Sequence, residues 1–142
     1  MEKVEFGSRE WVAAMRRVFE ESVADRDLTG IEFSMGEEFT DPPAHLRREG
    51  SDTIGWHVRV RDGKVEVIDG PAADLDMRIV ADYAMVLPMA RVVMADQPDD
   101  EARQKITAEN MSKLRIEGDP TKLPPGFMES LGIHDKLAVI TA

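Results

Sequence analysis

The chain has 142 residues, no cysteine and a formal net charge of −10. That length suits one domain with its own core, and the missing thiols exclude a disulfide framework, a thiolate zinc site and a cysteine nucleophile. The acidity disfavours nucleic acid, whose binding needs Lys and Arg to displace counterions, and stable docking on anionic membrane.

Nothing at the amino terminus, MEKVEFGSREW, resembles a secretory leader. The longest apolar stretch, Tyr83–Ala90, falls far short of the ~20 residues a membrane span needs. The expectation is a cytoplasmic protein of one domain over 1–142, without stable membrane insertion.

Ser8 is a good N-cap, and Trp11, Met15, Val18, Phe19 and Ser22 succeed it at helical spacing, a helix that should end near Arg26–Gly30. In IEFSM, Ile31, Phe33 and Met35 alternate with Glu32 and Ser34 as in a half-buried strand. Asp41-Pro42-Pro43 is a break, and HLRREGSD beyond it is a polar loop. TIGWHVRV places Ile54, Trp56, Val58 and Val60 on one face, and Asp62-Gly63 is a hairpin turn leading into Val65 and Val67. After Asp69-Gly70-Pro71, Leu75, Met77 and Ile79 alternate with Asp74, Asp76 and Arg78. Three consecutive strands with one apolar face each predict an antiparallel meander covered on one side.

Asp82 can cap a helix through DYAMVLPMARVVMADQ, which Pro88 should kink or start late. A further helix is expected from Pro98 or Asp99 toward Met111. KLRIEGD reads as a strand with Leu114 and Ile116 inward, and GFMESLG as a short helix presenting Phe127, Met128 and Leu131. The tail KLAVITA fits either strand or helix. Helices gathered on one face of a single, mostly antiparallel sheet make an α+β domain.

Motifs of catalysis are missing. His45, His57 and His134 form no HExxH or HxH pair, and no GxSxG, GxGxxG or P-loop occurs. Carboxylate pairs such as Asp74/Asp76 carry little information in so acidic a chain. No cofactor or metal is implied. The prominent feature is nine methionines, flexible and polarisable side chains that fill irregular gaps or line adaptable apolar sites. On composition alone a plain core and a lined cavity both account for them.

The order of IGWHVRVRDGKVEV, ADLDMRIVAD, a greasy helix and MSKLRIEGDPTKL resembles the sterol carrier protein type 2 (SCP2-like) family, over about Thr29 to Leu131. KLRIEGD at 113–119 is the most specific piece. Ala90 and Ser112 stand where that family often has glycine. The resemblance implies a five-stranded sheet with helices covering one face and an apolar tunnel between the layers. It implies binding, and transfer, of a hydrophobic small molecule or lipid: fatty acid, fatty acyl-CoA or sterol. Mapped onto this chain, the sheet would contribute Phe33, Met35, Trp56, Val58, Met77 and Ile79. The cover would contribute Met85, Met89, Val93, Met94, Met111, Phe127, Met128 and Leu131.

Two other readings compete with a non-enzymatic carrier. A small isomerase-type enzyme would need an acid or base in the pocket, for which Asp82, Tyr83 and His57 are nearest in sequence; a buried carboxylate among the methionines would favour it, and none is expected on the inward face. An interaction module would use the helix at 126–132 to bind a partner or a second copy in a homodimer.

Overall fold

The computed structural model describes residues 3–142, apart from the side chains of Met128 and Glu129. Helix α1 spans Arg9–Val23, and the Ser8 hydroxyl accepts from the Trp11 amide at its start. Its apolar face buries Trp11, Val12, Ala14, Met15 and Phe19. It ends at Val23, earlier than the expected Arg26–Gly30, and Gly30 supplies a left-handed turn in the loop beyond.

Five strands come next: β1 (Phe33–Thr40), β2 (Ile54–Arg61), β3 (Lys64–Asp69), β4 (Met77–Asp82) and β5 (Arg115–Gly118). They form one sheet in the order β3-β2-β1-β4-β5. Pairings β1–β2, β2–β3 and β4–β5 are antiparallel, whereas β1–β4 is parallel. The α+β class with a mostly antiparallel sheet is therefore observed, but the sheet is mixed and β4 does not extend the meander. One reason lies at the outer edge of β3, where the Arg16 guanidinium of α1 donates twice to the Val67 carbonyl, at 2.9 and 3.1 Å. That carbonyl is no longer free to pair with a further strand, and covering an edge in this way disfavours its extension. β4 instead joins the free side of β1. There Ser34 and Asp76 exchange two hydrogen bonds, from the Ser34 amide to the carboxylate (2.8 Å) and from the Asp76 amide to the hydroxyl (2.9 Å).

Two glycines allow close approach at the flanking pairs, β1–β2 and β4–β5. A Cβ on Gly55 would lie 2.1 Å from the Glu37 carbonyl oxygen, so only glycine lets β2 approach β1 there. Gly118, in the KLRIEGD segment, has φ +90° and would carry a Cβ 2.3 Å from the Asp76 carbonyl oxygen. The next amide, Asp119, donates to that same oxygen at 2.8 Å. The Gly-Asp pair is thus where β5 leaves β4.

The helical cover consists of α1, α2 (Tyr83–Ala90), α4 (Phe127–Leu131) and α5 (Ile133–Ala138), and α3 (Asp100–Met111) buries no residue. α2 is capped by Asp82 as expected but stops two residues after Pro88 and does not run on to Gln97. Arg91 and Val92 then close tighter turns onto the carbonyls of Pro88 and Met89, and a 3-10 turn occupies Met94–Asp96. Pro88 has no amide to donate, and the β-branched Val92 and Val93 beyond it favour extended backbone. The ambiguous tail is helical and then pairs with the start of the chain: the Val4 amide donates to Ile140 and the Ala142 amide to Val4. Ile116, expected inward, is 40% exposed on the short edge strand β5.

Thr141 completes this closure. Its hydroxyl accepts from the Trp11 indole at 3.1 Å and donates to the Leu137 carbonyl at 2.7 Å, all buried. Thr141→Val keeps the shape but strands the indole N–H, which should cost about 1–3 kcal/mol. A urea titration should show a lower midpoint with an unchanged slope.

Candidate functional site

The inward face of β1 is set by period-2 alternation: Phe33, Met35, Glu37 and Phe39 turn toward the helices, with Ser34, Gly36, Glu38 and Thr40 on the reverse. Register places Met35 beside Val58 and Met77, and Glu37 beside Trp56 and Ile79. Above this face is a cavity of about 490 Å³. Its floor is Met35, Glu37 and Phe39 of β1 with Trp56 of β2. Trp11 and Met15 of α1 form one wall, and Val86, Met89 and Ala90 of α2 another. Phe6, Met94, Leu114 and the stretch from Gly132 to Asp135, with Leu137, close the remainder.

The aromatic part of the lining is packed into place. Phe6 meets Trp11 edge-on at 4.9 Å and lies 4.9 Å from Phe39 and 5.2 Å from Tyr83 between ring centres. The Tyr83 hydroxyl donates to the Phe6 carbonyl at 2.7 Å. Rigid rings therefore surround one side of the cavity, while Met15, Met35, Met89 and Met94 supply side chains that can change rotamer.

Among the described residues, the titratable groups on the lining are Glu37, His134 and Asp135. The last two are engaged at the rim. Asp135 accepts from the backbone amides of Met94 (2.7 Å) and Ala95 (3.1 Å), and the His134 Nε2 lies 2.8 Å from the Val92 carbonyl. They tie α5 to the segment just after α2.

Glu37 is different. Its strand is paired on both sides, so its partial exposure is to the cavity. The Trp56 indole donates to its Oε1 at 3.0 Å. Removal from bulk water pushes the carboxyl pKa up from 4.5 to about 7, against the smaller lowering effect of the Trp56 hydrogen bond. The expectation that no carboxylate lies on the inward face is overturned. The expected strand IEFSM ends at Met35, yet β1 continues to Thr40. The period-2 row Phe33, Met35, Phe39, with one charged break, was the available signal.

No family model matches the sequence, and no curated protein matches it. Solved structures do. A crystal structure of sterol carrier protein 2 aligns over 96% of this chain and 99% of its own, at 17% identity and a TM-score of 0.58. A conserved hypothetical protein of Thermus thermophilus, described as a candidate sterol carrier protein, aligns over 100% and 94%, at 15% identity and a TM-score of 0.56. The fold is SCP2-like.

Within this SCP2-like fold, four of the residues that the sequence assigned to a ligand site meet at the cavity: Met35, Trp56, Met89 and Met94. Phe33 and Phe127 pack edge-to-face 5.6 Å apart, away from it, and Leu131 is buried in the core. Val58 and Met77 are buried on the sheet, Ile79 and Val93 are half-buried, and none of the four reaches the lining. Met85 and Met111 are 48% and 49% exposed. The Met128 side chain lies outside the described residues. The contributions of α1, Phe6, Glu37, Phe39 and α5 were missed.

The Glu37 carboxyl titrates near 4.5 in the unfolded chain and near 7 in the folded one, so between these values the folded state holds the extra proton. Its contribution makes stability fall as pH rises from about 4.5 to about 7, then level off. Glu37→Gln keeps an acceptor for Trp56 and removes the charge. It should flatten that part of the melting profile and melt a few degrees above the native chain at about pH 8, measured by thermal denaturation.

Proposed function

We propose that this chain binds a hydrophobic small molecule or lipid in the cavity between sheet and helices. The observation that carries the reading is a cavity of about 490 Å³ walled mainly by Met, Trp, Phe and aliphatic side chains. That volume lies within the ~300–1,000 Å³ usual for small-molecule sites, which are apolar with few polar groups. The SCP2-like fold supports the same reading, since sterol carrier protein 2 is named for such a ligand. In this reading Met35, Trp56, Met89 and Met94 touch the bound molecule.

A second reading draws on the same carboxyl. A side chain with a pKa of about 7 beside an apolar substrate suits proton transfer near neutral pH. The two readings separate cleanly: a ligand recovered chemically unchanged after prolonged incubation supports carriage, and an isomerised one supports catalysis.

Binding is tested with an uncharged fluorescent hydrophobe titrated onto the chain and displaced by unlabelled lipids with different polar ends. Saturable, displaceable binding in the micromolar range is expected; no saturation with any of them would refute the proposal. Met89 lines the cavity while remaining half-buried. Met89→Asp should weaken binding by at least ~10-fold while lowering the melting temperature by only a few degrees. Proportionate loss of both would assign Met89 to the core instead.

A further inference from the structure

We propose that Glu37 reads the polar end of the ligand and selects an apolar molecule ending in one neutral hydroxyl over one ending in a carboxylate. This rests on the cavity being the ligand site. Glu37 stands on the cavity floor between Met35 and Phe39, with Oε1 occupied by the Trp56 indole. Among the described residues Oε2 takes part in no hydrogen bond, and it is not fully buried, so it is open to a group in the cavity. The facing elements offer it no ionic partner: α1 contributes Trp11 and Met15, and α2 contributes Val86, Met89 and Ala90. On α5, His134 and Asp135 are held by the backbone of the segment from Val92 to Ala95.

The consequence depends on which group replaces water at Oε2. A purely alkyl ligand would bury a carboxyl with an unmet hydrogen-bonding atom, which is costly whether or not it is ionised. A ligand carboxylate would set a second negative charge beside the first in a weakly screened space. A hydroxyl both donates and accepts. It can donate to Glu37 when the side chain is ionised and accept from it when protonated, so it suits both states of a group that changes form near neutral pH. The single hydroxyl-bearing end then lies at the floor, with the apolar body against the methionine walls.

The test uses the full chain and calorimetric titration with dodecane, dodecanol, dodecanoate and dodecylamine, which share one chain length. At about pH 8.5, dodecanol should bind at least ~10-fold tighter than dodecanoate and tighter than dodecane. Glu37→Gln should narrow the dodecanol-to-dodecanoate ratio by ~10-fold, and acidifying the native chain to about pH 5.5 should narrow it in the same direction. A ratio that Glu37→Gln leaves unchanged overturns the assignment while the cavity reading stands. Dodecylamine binding tighter than dodecanol would make the site one for a cation and also overturn it. Failure of all four to bind would remove the cavity reading itself.

Discussion

The row of side chains on the inner face of β1 constrains everything around it. Pleating fixes alternate residues on one face, and a one-residue slip would expose Phe33, Met35 and Phe39 together. Pairing with β2 on one side and β4 on the other removes that freedom. Residue 37 is therefore held on the apolar face whatever its chemistry. A carboxyl there is destabilising when ionised, and among the described residues only the indole of its cross-strand neighbour Trp56 offsets this. A core assembled for stability alone would place a methionine or leucine at that position. The glutamate is the point where local sequence and global fold disagree, which is where function is expected.

The helical cover explains why a cavity persists above this row. α2 is short because Pro88 and the β-branched pair beyond it end it, so it covers the β4 side without extending across the sheet. α1 is tied to the opposite edge by Arg16 on Val67, and to the carboxy-terminal tail by the Trp11–Thr141 hydrogen bond. Between them α5 is positioned by the closure of the chain ends and by Asp135 on the amides of Met94 and Ala95. Each element is fixed by polar contacts at its periphery, so none must collapse inward to be satisfied. Apolar walls held apart in this way can enclose space that tight packing would otherwise fill.

Much of the fold was legible because its signals are local. The Ser8 and Asp82 caps, the Asp62-Gly63 turn and the alternation of β2 and β3 each depend on a few neighbouring residues, and each is present. The partners of β4 were not legible. Its alternation is the same whether it lies beside β3 or β1, and the features that decide it, Arg16 on Val67 and Ser34 with Asp76, join residues 51 and 42 positions apart. For the site, Met35, Trp56, Met89 and Met94 could be read from greasy residues on sheet and cover. Met85 shows the limit: it shares a short, uniformly apolar helix with Met89, which carries almost no periodicity to say which side faces inward. Glu37 was missed because the expected strand was followed only to Met35, two residues short of it.

The division of labour within the cavity is a consequence of these placements. Phe6, Trp11, Phe39 and Trp56 interlock with one another or with neighbouring rings and cannot move independently. The methionines opposite have three rotatable bonds each and can reshape around different apolar bodies at little cost. Walls of that kind discriminate poorly, since a missing methylene alters binding by only ~1–3 kcal/mol. In the proposed reading discrimination then falls to Glu37, which among the described residues faces the interior without a full set of partners. On that proposed reading the cavity adapts its shape to the ligand, and Glu37 is the fixed reference against which that ligand is oriented.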